Sequence, residues 1–398
     1  MKKVLIVGGG IVGQFSAYYL TKVGHEVTII DDQSAMPPAS SGNCGLVTPS
    51  HILPVNSWKT LFQGLKWMGK RDAPLSIKPQ FSLSFFSWFV SFIWHCQNRY
   101  VLNSVTSRHE ILQESWHAFQ EFFKNEAPEV NWSHTGMLYP CMTEEGLAGI
   151  HNEVQVLHEN GLAARMLTRE EMLQMEPSIQ SSIIGGAIYE CDGSLKPYVL
   201  LSSIREINTK AGVKQVNGNA IRFKKRGSKI TGLELSGGSL EADEYVIAAG
   251  AKSVFLTRPL GISLNLIPGK GYNLTIQSTI ENQPRYPIYM TEKRVVATPW
   301  KDAFRLGSTM EFTGYDLSLN KARLEALKHA AEEFLQVDVQ NIEFEPWAGW
   351  RPMTADGMPS IERAKRYSNL TLATGHGMLG MSMAPATGKR ITSIIGTD

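Results

Sequence analysis

Residues 2–8, KKVLIVG, form a mostly apolar run that ends at a glycine, the pattern of a strand buried on both faces of a parallel sheet. Helical spacing of apolar positions follows from Gln14 to Val23 and stops at Gly24, where a helix end favours a left-handed residue. His25 to Ile30 reads as a second strand, closed by Asp31. A βαβ half is thus complete within about thirty residues.

Further along, 105–125 and 144–160 carry helical periodicity, and Thr135 to Met142 is strand-like. Lys196-Pro197 opens a helix that runs through Thr209, since proline suits the first helical turn. Residues 213–236 alternate as short strands with a hairpin, and Tyr245 to Gly250 is a buried strand ending in small residues. Between 264 and 310, short strands separated by Gly, Pro and Lys predict an antiparallel sheet. Asn320 to Leu335 is helical. Leu370 to Thr374 is a strand that meets a glycine turn, and a helix continues through Ala386 toward Ile395. Parallel βα units at both ends with antiparallel strands between them predict a mixed α/β and α+β fold, its second domain made of insertions. The expected division assigns 1–60, 145–260 and 345–398 to a Rossmann-like domain and 61–144 and 261–344 to a substrate domain.

Residues 80–98 stand apart. At about 100° per residue, Gln80, Ser84, Ser87, Ser91, His95 and Asn98 share one narrow stripe. Phe81, Phe85, Phe86, Trp88, Phe89, Val90, Phe92, Ile93 and Trp94 occupy the rest. So wide an apolar surface needs a cover, either the protein's own fold, a second subunit or lipid. Residues 59–99 hold six basic side chains against Asp72 alone, a local charge of +5. Polar residues interrupt the segment throughout, so it does not read as a span. It is instead a candidate for salt-sensitive, peripheral contact with an anionic membrane.

Composition narrows the class. The chain has 398 residues, 43% of them hydrophobic, enough for two domains and too apolar for disorder. A net charge of +2 gives no reason to expect nucleic acid as partner. Four cysteines without CxxC spacing argue against a disulfide framework and a metal site. The opening apolar stretch is too short for a secretion signal, so the expected location is cytoplasmic, with peripheral contact at the inner face of the membrane as the added expectation.

The chemistry begins at Gly8-Gly9-Gly10-Ile11-Val12-Gly13, a G-x-G-x-x-G between strand and helix. Gly8 permits the tight turn, Gly10 lets a pyrophosphate reach the backbone, and Gly13 lets helix and strand pack closely. The helix N–H groups carry the phosphate charge. Asp31, eighteen residues beyond Gly13, is placed to accept from a ribose 2′-hydroxyl. Residues 39–50, ASSGNCGLVTPS, suit a loop in close contact with a ligand. The late turn Gly375-His376-Gly377-Met378-Leu379-Gly380 offers backbone N–H groups to an electron-rich edge.

These segments, together with YVIAAGA at 245–251, PGKGYNL at 268–274, WAGWRPMTADGMP at 347–359 and ATGHGMLGMSMAPATGK at 373–389, resemble the D-amino-acid oxidase and glycine oxidase superfamily. Within it they resemble the bacterial D-amino-acid dehydrogenases. The resemblance implies dissociable FAD on a domain of discontinuous segments, under an antiparallel substrate domain. The implied FAD contacts are Gly8, Gly10, Ile11, Val12, Gly13, Asp31, Asp32, Ser40, Ser41, Asn43, Cys44, Gly45, Ala249, Gly250, Gly377, Met378, Leu379, Gly380 and Met381. It implies hydride transfer from the α-carbon of an amino or cyclic imino acid to flavin N5. Arg351, at the arginine of the family's G-L-R-P segment, is then the carboxylate grip. His51, Tyr272 and Tyr289 are further pocket candidates. Met378 and Val296 stand where glycine oxidases carry an arginine and a tyrosine, which implies a more apolar pocket. The implied acceptor is a quinone or a protein. An oxygen-using glycine or sarcosine oxidase and a non-catalytic flavoprotein subunit are the competing expectations.

Overall fold

The computed structural model describes residues 1–32, 38–67, 75–77 and 82–396, without the side chains of 59, 63, 65–67, 76 and 77. Gln80, Phe81 and the basic residues Lys70, Arg71 and Lys78 of the sequence reading lie outside the described residues.

Two sheets organise the chain. The smaller has six strands in the order Ser360–Arg363, Leu370–Thr374, Glu244–Ile247, Lys3–Val7, Glu26–Asp31, Lys214–Asn217. All neighbours are parallel except the first pair. Val4, Ile6, Val27 and Ile29 pack on one side with Ile391 and Ile395 of the C-terminal helix Gly380–Ile395. Leu5, Val7, Tyr245 and Ile247 pack on the other with a three-stranded sheet from 220–240. Burial on both faces explains why these strands read as continuous apolar runs. The glycine-loop helix Ile11–Lys22 lies against the C-terminal helix so closely that a Cβ on Gly388 would come within 2.5 Å of the Phe15 carbonyl oxygen.

The larger sheet has nine strands, in the order Glu345–Thr354, Leu266–Ile276, Ala303–Phe312, Val295–Trp300, Ile288–Met290, Met137–Cys141, Gly185–Tyr189, Ala164–Thr168, with Leu75–Ile77 beside Ala303–Phe312. It is antiparallel except where Ile288 meets Leu138 and where Leu75–Ile77 joins. Strands 164–168, 185–189 and 345–354, expected with the Rossmann-like segments, pair instead in this larger sheet. The stretch 264–310 also differs from expectation, because it contains strands of 11 and 10 residues. The helix predicted at 105–125 begins earlier, at Asn98, and runs to Glu126.

One face of the large sheet is covered by helix Lys321–Phe334, with Leu327, Ala331 and Phe334 against Leu274, Phe304 and Leu306. Within that layer sits a nearly dry ionic cluster. Lys270 Nζ lies 3.2 Å from Glu311 Oε2, and the Tyr272 hydroxyl donates to the same oxygen at 2.5 Å. Tyr272 thus faces the helix, and its role as a pocket residue is corrected. The alternation of the strand turns it away from the face that carries Arg351.

Replacing Glu311 by Leu should leave the Lys270 ammonium with Asp316 and the Ser318 carbonyl alone. We expect a loss of about 3–5 kcal/mol in urea unfolding, the scale for breaking a buried pair, and a much smaller loss for an exposed pair such as Arg165–Glu190.

Candidate functional site

At the end of strand Lys3–Val7 the backbone turns at Gly8 with φ 113°. A Cβ there would stand 2.4 Å from the Ala248 carbonyl oxygen, and one on Gly13 would stand 1.9 Å from that of Gly8. No side chain fits either place, so the chain must be glycine for the helix to start against the strand. The first turn of Ile11–Lys22 carries no acid, and Gly10 caps it without a side chain. The Ile11 N–H donates to Ser40 Oγ at 2.9 Å. An uncrowded helix start of this kind is a site for phosphate. Ile11 and Met381 are buried in one cluster, and Leu379 in another, so these three support the cradle by packing.

Asp31 ends its strand against the loop, where a Cβ on Gly9 would meet its carboxylate at 2.9 Å. Arg205 Nη2 lies 3.9 Å from Asp31 Oδ2. Asp32 follows, partly buried. Ala249 and Gly250 continue the strand Glu244–Ile247 into a turn with Gly250 at φ 54°, and Thr374 Oγ1 donates to the Gly250 carbonyl. Gly377 turns at φ 56° and its N–H donates to the Pro352 carbonyl at 3.0 Å, which ties the late glycine turn to the Arg351 strand. Met378 is left exposed, one residue before Leu379 caps the C-terminal helix.

The loop at 39–45 is a compact knot. Asn43 Nδ2 donates to the carbonyls of Ala39 and Ser40, and its Oδ1 accepts from the Gly45 N–H at 2.7 Å. Ser41 Oγ donates to Pro38. Three side chains of the large sheet hold the knot's outward carbonyls: Asn273 Nδ2 on Gly42, Thr298 Oγ1 on Cys44, and Arg305 Nη1 on Ser41 and Asn43. The Cys44 thiol, its pKa raised by burial, points at Gly307, where a Cβ would stand 2.5 Å away.

Arg351 pairs with Gly269 in strand register, and Gly271 pairs with Gly349. Its guanidinium lies over Gly271, where a Cβ would come within 2.3 Å, and the Trp347 ring lies over Gly349. Arg351 Nη1 donates to the Thr309 carbonyl at 2.7 Å. That carbonyl is aimed by a bulge opposite Gly271, where Ser308 and Thr309 take φ of 127° and 58°. Among the described residues no carboxylate pairs with Arg351, and loss of solvent pushes its pKa down. A desolvated cation with unused donors suits a carboxylate ligand.

His51 Nε2 lies 3.3 Å from the Tyr139 hydroxyl, and burial followed by the nearby Arg108 pushes its pKa down to about 4. It lines a cavity of about 60 Å³ with Phe92, Arg108, Met353, Gly377 and Met378. Tyr289 joins this group only through Tyr139, ring to ring at 5.4 Å. The structure thus brings His51 and the Gly377–Met378 turn together, keeps Tyr289 one ring removed, and puts Tyr272 elsewhere. Sequence reading missed Asn273, Thr298, Arg305 and Tyr139. The signal for the first was present, since Gly269, Gly271, Asn273 and Thr275 alternate with larger side chains along one strand.

A model of the FAD dependent oxidoreductase family (DAO) matches residues 3–394. A D-amino acid dehydrogenase of Vibrio cholerae is 29% identical over 402 residues, covering 99% of this chain and 95% of that protein. The structure of glycine oxidase from Bacillus cereus superposes with a TM-score of 0.77 at 20% identity, covering 98% of this chain and 94% of the other. L-α-glycerophosphate oxidase from Mycoplasma pneumoniae, solved with FAD bound, gives 0.74 at 17% identity, covering 99% and 94%. The cofactor of this family is FAD, and the glycine cradle, the acid-free helix start and Asp31 fit it.

Asp31→Ala should weaken FAD binding by about 1–3 kcal/mol in a fluorescence titration, the scale of one lost hydrogen bond to a charged group. A second expectation concerns pH. His376, buried with Nε2 2.9 Å from Thr387 Oγ1, also has its pKa lowered to about 4 by burial. Both it and His51 are neutral when folded and protonate from 6.5 downward when unfolded. Their contribution to stability is complete above about pH 6.5 and is lost as pH falls toward about 4. Melting curves across that window should show Tm falling, and His376→Gln should flatten the fall.

Proposed function

As the chain belongs to the FAD dependent oxidoreductase family, matched over residues 3–394, we propose that it dehydrogenates a D-amino acid or a cyclic, proline- or hydroxyproline-like D-imino acid. The α-carbon would give up a hydride, for which bound FAD would supply the acceptor at N5, and the nitrogen would lose a proton to solvent, which leaves the imino acid. The electrons then pass to a quinone or a protein instead of oxygen. Peripheral contact with the cytoplasmic face of a membrane accompanies that choice of acceptor. No helix among the described residues is long and apolar enough to cross a membrane.

The single observation that carries this reading is Arg351. Its guanidinium is desolvated, lacks a carboxylate partner among the described residues, and lies against Gly271, where any side chain would displace it. A planar fork in that setting binds a carboxylate at two points and so fixes the Cα–H bond, which is most of what hydride transfer requires of the protein. Met310 and Met353 lie beside Gly269, and Val296 is buried where glycine oxidases carry tyrosine. These side chains favour an apolar or cyclic substrate over glycine. His51, a neutral imidazole that lines a small cavity with Met353 and Gly377, shapes the pocket toward the Gly377 turn. The FAD contacts proposed are those of the glycine loop, Asp31 and Asp32, the 40–45 knot, Ala249-Gly250 and the turn from Gly377 to Met381.

Anaerobic bleaching of the flavin by a panel of D- and L-amino and imino acids tests the reaction, and the yield of peroxide in air tests the acceptor. D-substrates should bleach the flavin, with little peroxide formed. Arg351→Met should keep FAD bound and lower kcat/KM by roughly thirty- to several-thousand-fold, corresponding to about 2–5 kcal/mol for an unpartnered carboxylate. A kcat/KM within about twofold of the unaltered protein would make Arg351 structural.

A further inference from the structure

The helix Leu83–His95 is docked by one side only. Trp88 is 4% exposed, its indole N–H donates to the Met353 carbonyl at 2.9 Å, and its ring packs on Phe312 at 5.4 Å between centroids. Phe85, Phe89 and Phe92 fill in around it. The sequence reading placed the polar stripe of Ser84, Ser87, Ser91 and His95 opposite the apolar surface. In the structure the outward centre of the helix is itself apolar. Leu83, Phe86, Val90 and Trp94 are 90%, 67%, 51% and 53% exposed, and they fall within an arc of about 80°.

The stripe has neighbours of the same kind. Leu102 is exposed on the next helix, and Trp58 and Phe62 are exposed and stacked on the preceding one. Asn56 Nδ2, just before that preceding helix, donates to the His95 carbonyl at 3.1 Å, which ties the two together. Trp94 Nε1 donates to the Tyr100 hydroxyl, and exposed Arg99 lies over the Tyr100 ring. Seven apolar or aromatic side chains are thus left in water on three successive helices, an exposure that protein surfaces rarely tolerate without a partner.

Charge selects the partner. From 73 to 109 the chain has no Asp or Glu, and from 58 to 109 Asp72 is the only acid. The same stretch carries Lys59, Lys66, Lys70, Arg71, Lys78 and Arg99, besides the inward-turned Arg108. An apolar, Trp-bearing stripe within a segment of one sign matches the interface of an anionic bilayer, with aromatic rings at headgroup depth and cations on the phosphates. A second copy of this chain would bring the same positive charge against itself.

We infer that the outward face of Leu83–His95, with Leu83, Phe86, Val90 and Trp94 at its centre, is the surface by which the protein docks on anionic lipid. The inference deepens the peripheral contact proposed above and is independent of which substrate the site oxidises. The inner face of the same helix carries Phe92, which lines the cavity beside Gly377 and Met378. Docking by this face sets the late glycine turn on the bilayer side of the molecule.

The test uses the full FAD-loaded chain and two vesicle types, phosphatidylcholine alone and phosphatidylcholine rich in phosphatidylglycerol. The protein should float with the anionic vesicles at low salt, float less at high salt, and quench its Trp emission against brominated lipid. The double variant Phe86→Asp/Val90→Asp alters two exposed positions, so folding and FAD content should be kept. Its partitioning should fall at least about tenfold, with unchanged turnover of a D-amino acid on a water-soluble dye. Absence of flotation by the unaltered protein at low salt overturns the inference, as does equal flotation of the variant. A dimer that becomes monomeric in the variant, without flotation of either, would assign the face to a second copy instead. Failure of dye-linked turnover in the unaltered protein would count against the proposed reaction and leave the flotation result standing.

Discussion

The hold that the large sheet takes on the 39–45 knot is the constraint on which the site depends. Arg305, Asn273 and Thr298 come from three neighbouring strands, and each engages a carbonyl of a loop that belongs to the small sheet. Carbonyls turned out of a tight loop need donors when water is excluded. Meeting that need fixes the distance between the two sheets. It also brings Cys44 against Gly307 and lays the Trp347 ring over Gly42. The face that carries Arg351 and the glycine cradle for FAD are therefore set relative to each other by hydrogen bonds that neither layer could satisfy alone.

Within the large sheet, charge is sorted by face. Lys270, Tyr272 and Glu311 form a closed ionic cluster against the helix Lys321–Phe334. On the opposite face Arg351 has, among the described residues, the Thr309 carbonyl and the Met310 sulfur as hydrogen-bond partners. The first arrangement pairs its charges within the protein, so it stabilises a largely dry layer. The second leaves donors of a desolvated cation unused, the feature on which the proposed carboxylate site rests. The same contrast separates the two faces of Leu83–His95. Its inner aromatic side is filled by Phe312 and Met353, while its outer side has no protein cover among the described residues.

The local features were legible from the chain because they are interactions between near neighbours. Gly8, Gly10 and Gly13 constrain one turn, and the strand, turn and helix around them follow from short-range sterics. Gly24 ends its helix at φ 88° for the same reason. The buried strands at 3–7, 244–247 and 370–374 declare themselves by apolar runs, since both faces are covered. The resemblance carried by six segments extended this to the cofactor and to Arg351.

What only the tertiary structure decided is which side of each element faces which partner. The bulge at Ser308–Thr309 is the sharpest case. Before it, Arg305 and Gly307 occupy the face that meets the knot; after it, Met310 and Phe312 occupy that same face, against Gly269, so the parity of the strand reverses within three residues. No alternation in the sequence reveals that switch, because it depends on pairing with Leu266–Ile276 some forty residues away in the chain. Tyr272 was misplaced for a related reason, one face of a strand being indistinguishable from the other until its neighbours are known. The apolar excess of residues 83–95 was plain in the sequence, but its division into a docked side and an open side required Trp88 to find Met353, 265 residues away. Contacts of that span arise from packing, and packing is a property of the whole chain.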